Sequence, residues 1–438
     1  MRIYLESLGC PKNLVDAHGM IRRLVAGGHT IVADPDQAQV LIVNTCGFIA
    51  DARQESLETL RNLSEGKRPD QLLIAAGCLS QRWGTRLSKV VPGLDGLLGT
   101  RRWNEIDALL DRLTNAAARR SAPPVWLDDP LQRVEERRVA RQGASAYLKI
   151  ADGCSATCAF CAIPLIKGPA RSRPAGAVVR DAVALVEAGV REIILIAQDT
   201  TAYGRDRGEK DALPDLLRAI LEAAPDLRWL RLLYAYPGHI GPRLIETMAT
   251  DPRICHYLDL PLQHAHPATL RRMRRPSDVD RTLRLIADLR AAMPDLALRT
   301  SFIVGYPGET EAEFQTLLDF VAQVRFDRVG VFIYSEEEGT PATQLPNPVP
   351  LRVRQERFER LMALQQGISL EINQEQVGRT LEVLVEGEGD GWNVGRSYRD
   401  APEIDGLVLL PGSLPAGEMV QVRITQALEY DLLAERCE

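Results

Sequence analysis

The sequence of 438 residues contains no stretch approaching the ~18 uninterrupted apolar residues that a membrane helix needs. Its first residues, Met1-Arg2-Ile3-Tyr4-Leu5-Glu6, hold only a short apolar run broken by charge, so no secretory signal is expected there. Positive charge is not in excess either. The formal net charge of −6 does not advertise a nucleic-acid binder, although a local basic groove is compatible with it. Disulfides are not expected. Eight cysteines in a chain without an export signal point to a reducing cytoplasm, where thiols serve metals or catalysis. With 45% hydrophobic residues and mixed charge, the composition is that of ordinary globular domains, and two or three domains are expected.

What is present is concentrated in Gly153-Cys154-Ser155-Ala156-Thr157-Cys158-Ala159-Phe160-Cys161. Three cysteines in a C-x3-C-x2-C spacing directly follow an apolar run, residues 146–151, that reads as a strand. Thiolates are soft, strongly donating ligands, and three within eight residues are suited to holding a metal or a cluster. A structural zinc site wants four ligands, yet the nearest His is His239 and the next Cys is Cys255. Three ligands and one open position favour a 4Fe–4S cluster over zinc or unliganded thiols.

Residues 1–112 read as a parallel α/β unit, with strands at 3–8, 40–45 and 72–76 and helices at 15–26 and 50–62. Each strand runs into a cysteine: Cys10, Cys46 and Cys78. Ligands of open parallel sheets bind at the carboxyl ends of strands, so these thiols make a second candidate trio. The alternative is three buried structural cysteines, because free Cys often packs as a small hydrophobe. Residues 113–143 read as a linker, broken by Ala122-Pro123-Pro124 and Asp128-Asp129-Pro130 and followed by a charged run from Arg133 to Arg141.

From 144 onward six apolar strands alternate with helices, which predicts an incomplete (β/α) barrel with its site at the strands' carboxyl ends. Gln198, Asp199, Thr200 and Gln263 fall there and are candidate cofactor contacts. Turn or cap roles are the alternative for them. His264 and His266 are candidate ligands or bases, with a hydrogen-bonded structural role as the commoner reading. Arg271-Arg272-Met273-Arg274-Arg275 is either a contact for an acidic group or a solvated helix face. A helix is expected beyond the proline-rich 341–350, with Phe358, Leu361, Met362, Gln365 and Ile368 on one face. Residues 373–438 read as a small β-barrel with strands at 380–386, 406–410 and 418–425. That module holds five Arg, no Lys and 13 Asp or Glu, a net of −8. Such a surface repels a polyphosphate backbone and attracts a basic protein. Cys255 and Cys437 have no partner in this scheme and read as structural or incidental.

The Cys154–Cys161 spacing resembles the signature of the radical S-adenosylmethionine enzymes, and three modules in this order resemble the methylthiotransferases over essentially the whole chain. The resemblance implies an N-terminal domain (1–112) holding an auxiliary 4Fe–4S cluster on Cys10, Cys46 and Cys78. It further implies a partial (β/α)6 TIM-like radical S-adenosylmethionine core (144–372) with a 4Fe–4S cluster on Cys154, Cys158 and Cys161, and a TRAM barrel (373–438). Ser7-Leu8-Gly9-Cys10-Pro11-Lys12-Asn13-Leu14-Val15-Asp16, Asn44-Thr45-Cys46-Gly47-Phe48-Ile49, Ala197-Gln198-Asp199-Thr200-Thr201 and Asp400-Ala401-Pro402-Glu403-Ile404-Asp405-Gly406 look like the branch that modifies an aspartate of small-subunit ribosomal protein S-twelve. Departures are Ala17-His18 and Ala265-His266, neither of which touches an implied cluster ligand. The implied reaction is methylthiolation of the aspartate β-carbon, using two molecules of S-adenosylmethionine. One is the radical source and the other the methyl donor. The other branch modifies adenosine in transfer RNA. A zinc-stabilised RNA-binding protein and an iron–sulfur electron carrier are the readings from other classes.

Overall fold

The computed structural model describes residues 1–115, 124–127 and 136–437. The chain divides into two compact units. One comprises Met1–Ala140, Tyr147–Ala177 and Ser335–Thr343, and the other Arg141–Ala146, Val178–Tyr334 and Gln344–Glu438.

The first unit is built on a parallel sheet whose central strands, Val40–Thr45 and Leu72–Gly77, are buried at every position. Continuous apolar runs of this kind require cover on both faces, and both are covered. Val40, Ile42 and Ile74 pack with Met20 and Leu24 of the helix Pro11–Ala26 and with Leu109 of Ile106–Thr114. Leu41, Val43 and Leu73 face Leu57 and Leu60 of Ala50–Gly66 and Leu87 of Thr85–Val90. In the sheet, Thr30–Ile31 lies at one edge, followed by Arg2–Ser7, Val40–Thr45, Leu72–Gly77 and Gly96–Gly99. The other edge is Val125–Trp126, paired with Leu97 and Leu98. This segment was expected to be connector; part of it instead completes the sheet. The breaks at Ala122-Pro123 and Asp128-Asp129-Pro130 and the start of the charged run, Arg133, lie outside the described residues.

In the second unit the strands Glu192–Ile196, Trp229–Leu232, Ile254–Asp259, Ala297–Val304 and Arg328–Ile333 are parallel neighbours in sequence order. With Ser145–Lys149, which begins in this unit, they are the six expected strands of a partial (β/α)6 barrel, and Val139–Gln142, from the expected linker, is a seventh at the edge of the sheet. The long helix Leu351–Gln374 buries Leu361, Gln365 and Ile368 as its periodicity predicts. Phe358 and Met362 are only half-buried, because Arg357 and Ser369 occupy the inner face instead.

The C-terminal module is a closed barrel of five strands: Thr380–Gly389, Trp392–Ser397, Val408–Pro411, Leu432–Arg436 and Met419–Ala427 in spatial order. Asp390 and Gly391, at φ 52° and 78°, make the tight turn between its first two strands. The barrel core is Val383, Val385, Val408, Leu410, Val422 and Ile424.

Its seat within the second unit is ionic. Glu192, fully buried, lies between Arg231 (2.7 Å) and Arg396 (2.6 Å), which are no more than 1% exposed. Arg328 pairs with Asp400 at 2.7 Å and Arg399 with Asp327 at 2.5 Å. Asp405 receives the Tyr257 hydroxyl at 2.6 Å and faces Arg299 at 3.3 Å. The Asp400–Gly406 stretch is therefore an anchor, with the Asp400 and Asp405 carboxylates turned inward. The seat takes two Arg and two Asp from the module, so the remaining three Arg and eleven Asp or Glu keep the net charge at −8.

Candidate cluster sites

Cys10, Cys46 and Cys78 occupy the carboxyl ends of three neighbouring strands. Arg2–Ser7 pairs with Val40–Thr45, and Val40–Thr45 with Leu72–Gly77, in registers that align Ser7 with Asn44 and Thr45 with Gly77. Cys10 is the N-cap of Pro11–Ala26, where its carbonyl accepts from the Asn13 amide at 2.8 Å. Cys78 opens the helix Cys78–Trp83. Cys46 is held by Ser56, whose hydroxyl accepts from its amide (2.9 Å) and donates to its carbonyl (3.0 Å). The loops meet at glycine distance. A Cβ on Gly9, already at φ 85°, would lie 2.8 Å from the Cys46 Sγ, and one on Gly47 would lie 2.8 Å from the Leu79 backbone.

Asn13 ties the three loops together. Its Nδ2 donates to the carbonyls of Leu8 (2.8 Å), Asn44 (3.1 Å) and Thr45 (3.1 Å), and its Oδ1 lies 3.9 Å from the Cys78 Sγ. Sequence reasoning carried Asn13 only as a letter in a motif. Its partners come from other strands, so no local pattern reveals them.

The three thiols stand in different fields. Burial pushes Cys46 up to about 12, with Cys78 adding to the rise. Cys78 is also raised by burial, against the opposing pull of Lys167. Cys10 is solvent-exposed at its surface. Crowding there raises its pKa, but Lys12, the Asn13 amide and Lys167 outweigh that and lower it. Cysteines that raise one another's pKa are near neighbours, and thiols of this kind ionise when a cationic group takes them as ligands.

The second trio lies in the same unit. Cys154, Cys158 and Cys161 are each half-buried on the loop after Ala151–Asp152, which pairs antiparallel with Arg171–Ser172. The loop is closed by the Cys154 amide on the Gly168 carbonyl (3.0 Å) and the Cys161 amide on the Cys158 carbonyl (3.2 Å). The short helix Ile163–Lys167 follows. Cys78 packs directly against Ala162 and Ile166, so the two trios share a wall. Among the described residues no three His, Cys, Asp or Glu side chains converge on one ion position. A cluster that takes one thiolate per iron does not require that convergence.

The remaining predicted contacts lie in the second unit. The Oε1 of Gln198 is buried without a hydrogen-bond partner among the described residues. Asp199 has the turn role: its carboxylate accepts from the Ala202 amide (3.1 Å) and the Thr201 hydroxyl (2.6 Å) and meets His239 at 2.8 Å. The Thr200 hydroxyl donates to the Leu233 carbonyl at 2.5 Å. Gln263 is half-buried at φ 74°, its backbone bridging Ser301 and Ile303. His264 and His266 have the structural role. His264 is buried, which depresses it to about 3, and its Nδ1 accepts from the His266 amide. His266 caps Pro267–Arg272. In the basic cluster, Arg272 is engaged by Glu313 at 2.7 Å and Arg275 lies over the Tyr236 ring at 4.4 Å. Cys255 is buried and pushed up to about 12, as befits a structural thiol.

Comparison with known proteins accounts for all three modules. Residues 2–99 match the model described as "Uncharacterized protein family UPF0004", residues 148–321 the radical SAM superfamily and residues 377–437 the TRAM domain. Proteins named "Ribosomal protein uS12 methylthiotransferase RimO" align end to end. The Roseiflexus sp. protein is 52% identical over 100% of this chain and 98% of its own length. That of Chloroflexus aurantiacus is 52% identical over 99% of both, and that of Geobacter sulfurreducens 43% identical over 99% and 98%. Among solved structures, the radical S-adenosylmethionine methyltransferase TsrM from Kitasatospora setae, with cobalamin and a 4Fe–4S cluster bound, superposes with a TM-score of 0.57 at 14% identity. That match covers 90% of this chain and 80% of TsrM, and shows a shared fold. 4Fe–4S and S-adenosylmethionine are the cofactors of that superfamily. Among the described residues no helix is long and apolar enough to cross a membrane. By identity, coverage and module order, this chain belongs to the RimO family of radical S-adenosylmethionine methylthiotransferases.

Proposed function

We propose that this chain methylthiolates the β-carbon of an aspartate in small-subunit ribosomal protein S-twelve (uS12), in the cytoplasm. Cys154, Cys158 and Cys161 would hold the 4Fe–4S cluster that binds S-adenosylmethionine, and Cys10, Cys46 and Cys78 an auxiliary 4Fe–4S cluster. Bound there, these groups supply radical hydrogen abstraction, a methyl group and sulfur, chemistry that no side chain provides. The chain's own task is placement. Asn13 and the strand ends fix three thiols, and the loop after Ala151–Asp152 fixes the other three. Gln198, Asp199, Thr200 and Gln263 would border the S-adenosylmethionine, with Gln198 the foremost candidate because its buried oxygen lacks a partner among the described residues. The reading divides the chain into 1–112, the linker 113–143, the core 144–372 and the TRAM barrel 373–438.

The observation that carries the proposal is the common wall of the two trios, Cys78 against Ala162 and Ile166. Two clusters used in one reaction need such proximity, whereas a zinc-stabilised module does not, and an electron carrier needs no barrel of this size. The uS12 substrate is supported by the names of the relatives and by the net charge of −8 on the C-terminal module, which suits a basic protein partner.

The test is mass spectrometry of recombinant uS12 after anaerobic incubation with reconstituted enzyme, S-adenosylmethionine, sulfide and reductant. A methylthio increment on one aspartate is expected. An unmodified uS12, with methylthio-adenosine appearing in transfer RNA instead, would move the chain to the other branch.

A further inference from the structure

Five charged side chains that the proposed chemistry does not use converge in the unit that holds the six cysteines. Asp16, 1% exposed, accepts from Lys149 (2.5 Å) and Arg138 (2.7 Å) on Oδ1 and from Lys167 (3.1 Å) on Oδ2. Asp152 accepts from Arg138 (2.5 Å) and Lys149 (3.0 Å) and stands 3.5 Å from Lys167. Three cations against two anions leave a surplus of one positive charge in a region where unpaired charge is costly.

The network is strung between the trios. Asp16 lies in the helix that Cys10 caps, Lys149 and Asp152 precede Cys154, and Lys167 ends the helix that follows Cys161. Lys167 also belongs to the short helix that packs on the first trio. Its neighbour Ile166 packs on Cys78, and the next residue, Gly168, receives the Cys154 amide. Two carboxylates pin its ammonium, so its charge cannot swing away to solvent. The pinned ammonium is thus carried on the short helix that packs against Cys78.

We propose that Lys167 is a positioning residue for the group held by Cys10, Cys46 and Cys78. Asp16 and Asp152 fix its ammonium beside Cys78, where the positive charge favours the more negative, reduced state of that group. The inference rests on the reading of that trio as a cluster site. Reduction adds negative charge to a cluster already bound by thiolates, and cluster potentials follow net charge and surroundings.

The experiment uses the full chain with Cys154, Cys158 and Cys161 replaced by Ala, so that only the first trio can hold iron. Iron is counted after anaerobic reconstitution, and the midpoint potential is read by an EPR-monitored redox titration. The same is done with Lys167→Met and Lys167→Arg added. Lys167→Met leaves Arg138 and Lys149 balanced against Asp16 and Asp152, so the network stays neutral and the fold is expected to persist. Expected is a more negative midpoint in Lys167→Met and an unshifted one in Lys167→Arg. Loss of iron in Lys167→Met with retention in Lys167→Arg has the same meaning, because charge rather than shape then decides. Equal midpoints in all three proteins overturn the proposal, as does an equal shift or equal iron loss in the Met and Arg variants. Absence of iron from the protein that keeps Lys167 removes the cluster reading itself, and this proposal with it.

Discussion

Replacing Glu192 by Gln tests the ionic seat of the C-terminal barrel. Burial raises the Glu192 carboxyl, but Arg396 and Arg231 outweigh it and hold it at about 2, against an ordinary 4.5. A depression of that size corresponds to about 3 kcal/mol at neutral pH. All three side chains are at most 1% exposed, so solvent does not screen the interaction. The figure agrees with the ~3–5 kcal/mol typical of breaking a buried pair. A chain of several modules has no single unfolding free energy, so the suitable assay is amide hydrogen exchange across Thr380–Gly389 and Trp392–Ser397. Protection there is expected to fall about a hundredfold in Glu192→Gln, the equivalent of about 3 kcal/mol. The pH dependence has a defined sign. Because the folded pKa is depressed, the carboxylate stabilises fully above 4.5, and its contribution is lost as pH falls toward about 2. Glu192→Gln lacks that step. Protection within twofold of the parent, or an unchanged acid transition, would refute the reasoning.

Other substitutions divide the site by role. Cys10→Ala is expected to keep reductive cleavage of S-adenosylmethionine and lose methylthio insertion, both read by chromatography of the same anaerobic reaction; loss of neither would remove the auxiliary trio's role. Asn13→Ala removes the side-chain donor to the carbonyls of Leu8, Asn44 and Thr45, of which Asn44 keeps the Leu8 amide. It should lower amide hydrogen-exchange protection across Pro11–Ala26 in the metal-free protein about thirtyfold, the equivalent of about 2 kcal/mol. A change below about 0.5 kcal/mol means that the loops hold together without it. Gln198→Leu is expected to weaken S-adenosylmethionine binding about tenfold in equilibrium dialysis, the worth of one buried hydrogen bond; unaltered affinity places the cofactor elsewhere.

Features that depend on short-range pattern were legible in the sequence. Apolar runs at Val40–Thr45 and Leu72–Gly77 announced buried parallel strands, and with them the placing of Cys46 and Cys78 at neighbouring strand ends. The alternating strands of the barrel could be read for the same reason. What stayed hidden depends on distant partners. Trp392–Ser397 carries Asn393, Gly395 and Arg396 where a strand usually carries apolar residues, because Arg396 is neutralised by Glu192 from the other module. Val125–Trp126 is two residues long and gains its strand character only from Leu97 and Leu98. Lys149 sits in an apolar run, and its partner Asp16 is 133 residues away. The local turn that the Asp199 oxygens close with Thr201 and Ala202 could not be read from its position after a barrel strand either. Resemblance flagged Asp400–Gly406 without saying why, and the buried pairs of Asp400 and Asp405 supply the reason.

The seat of the C-terminal barrel also limits how this architecture can be recombined. A small closed barrel at the end of a chain invites transplantation as a cassette. Here, however, each half of the contact is charged, all but Arg299 are buried, and the barrel supplies two positive groups and two negative ones: Arg396 on Glu192, Arg399 on Asp327, Asp400 on Arg328, Asp405 on Arg299. A donor barrel lacking this order of signs would set like charges against each other in a space without water. Glu192, Arg299, Asp327 and Arg328 thus act as a four-digit address for the cassette, and a working chimera has to inherit both the address and its complement.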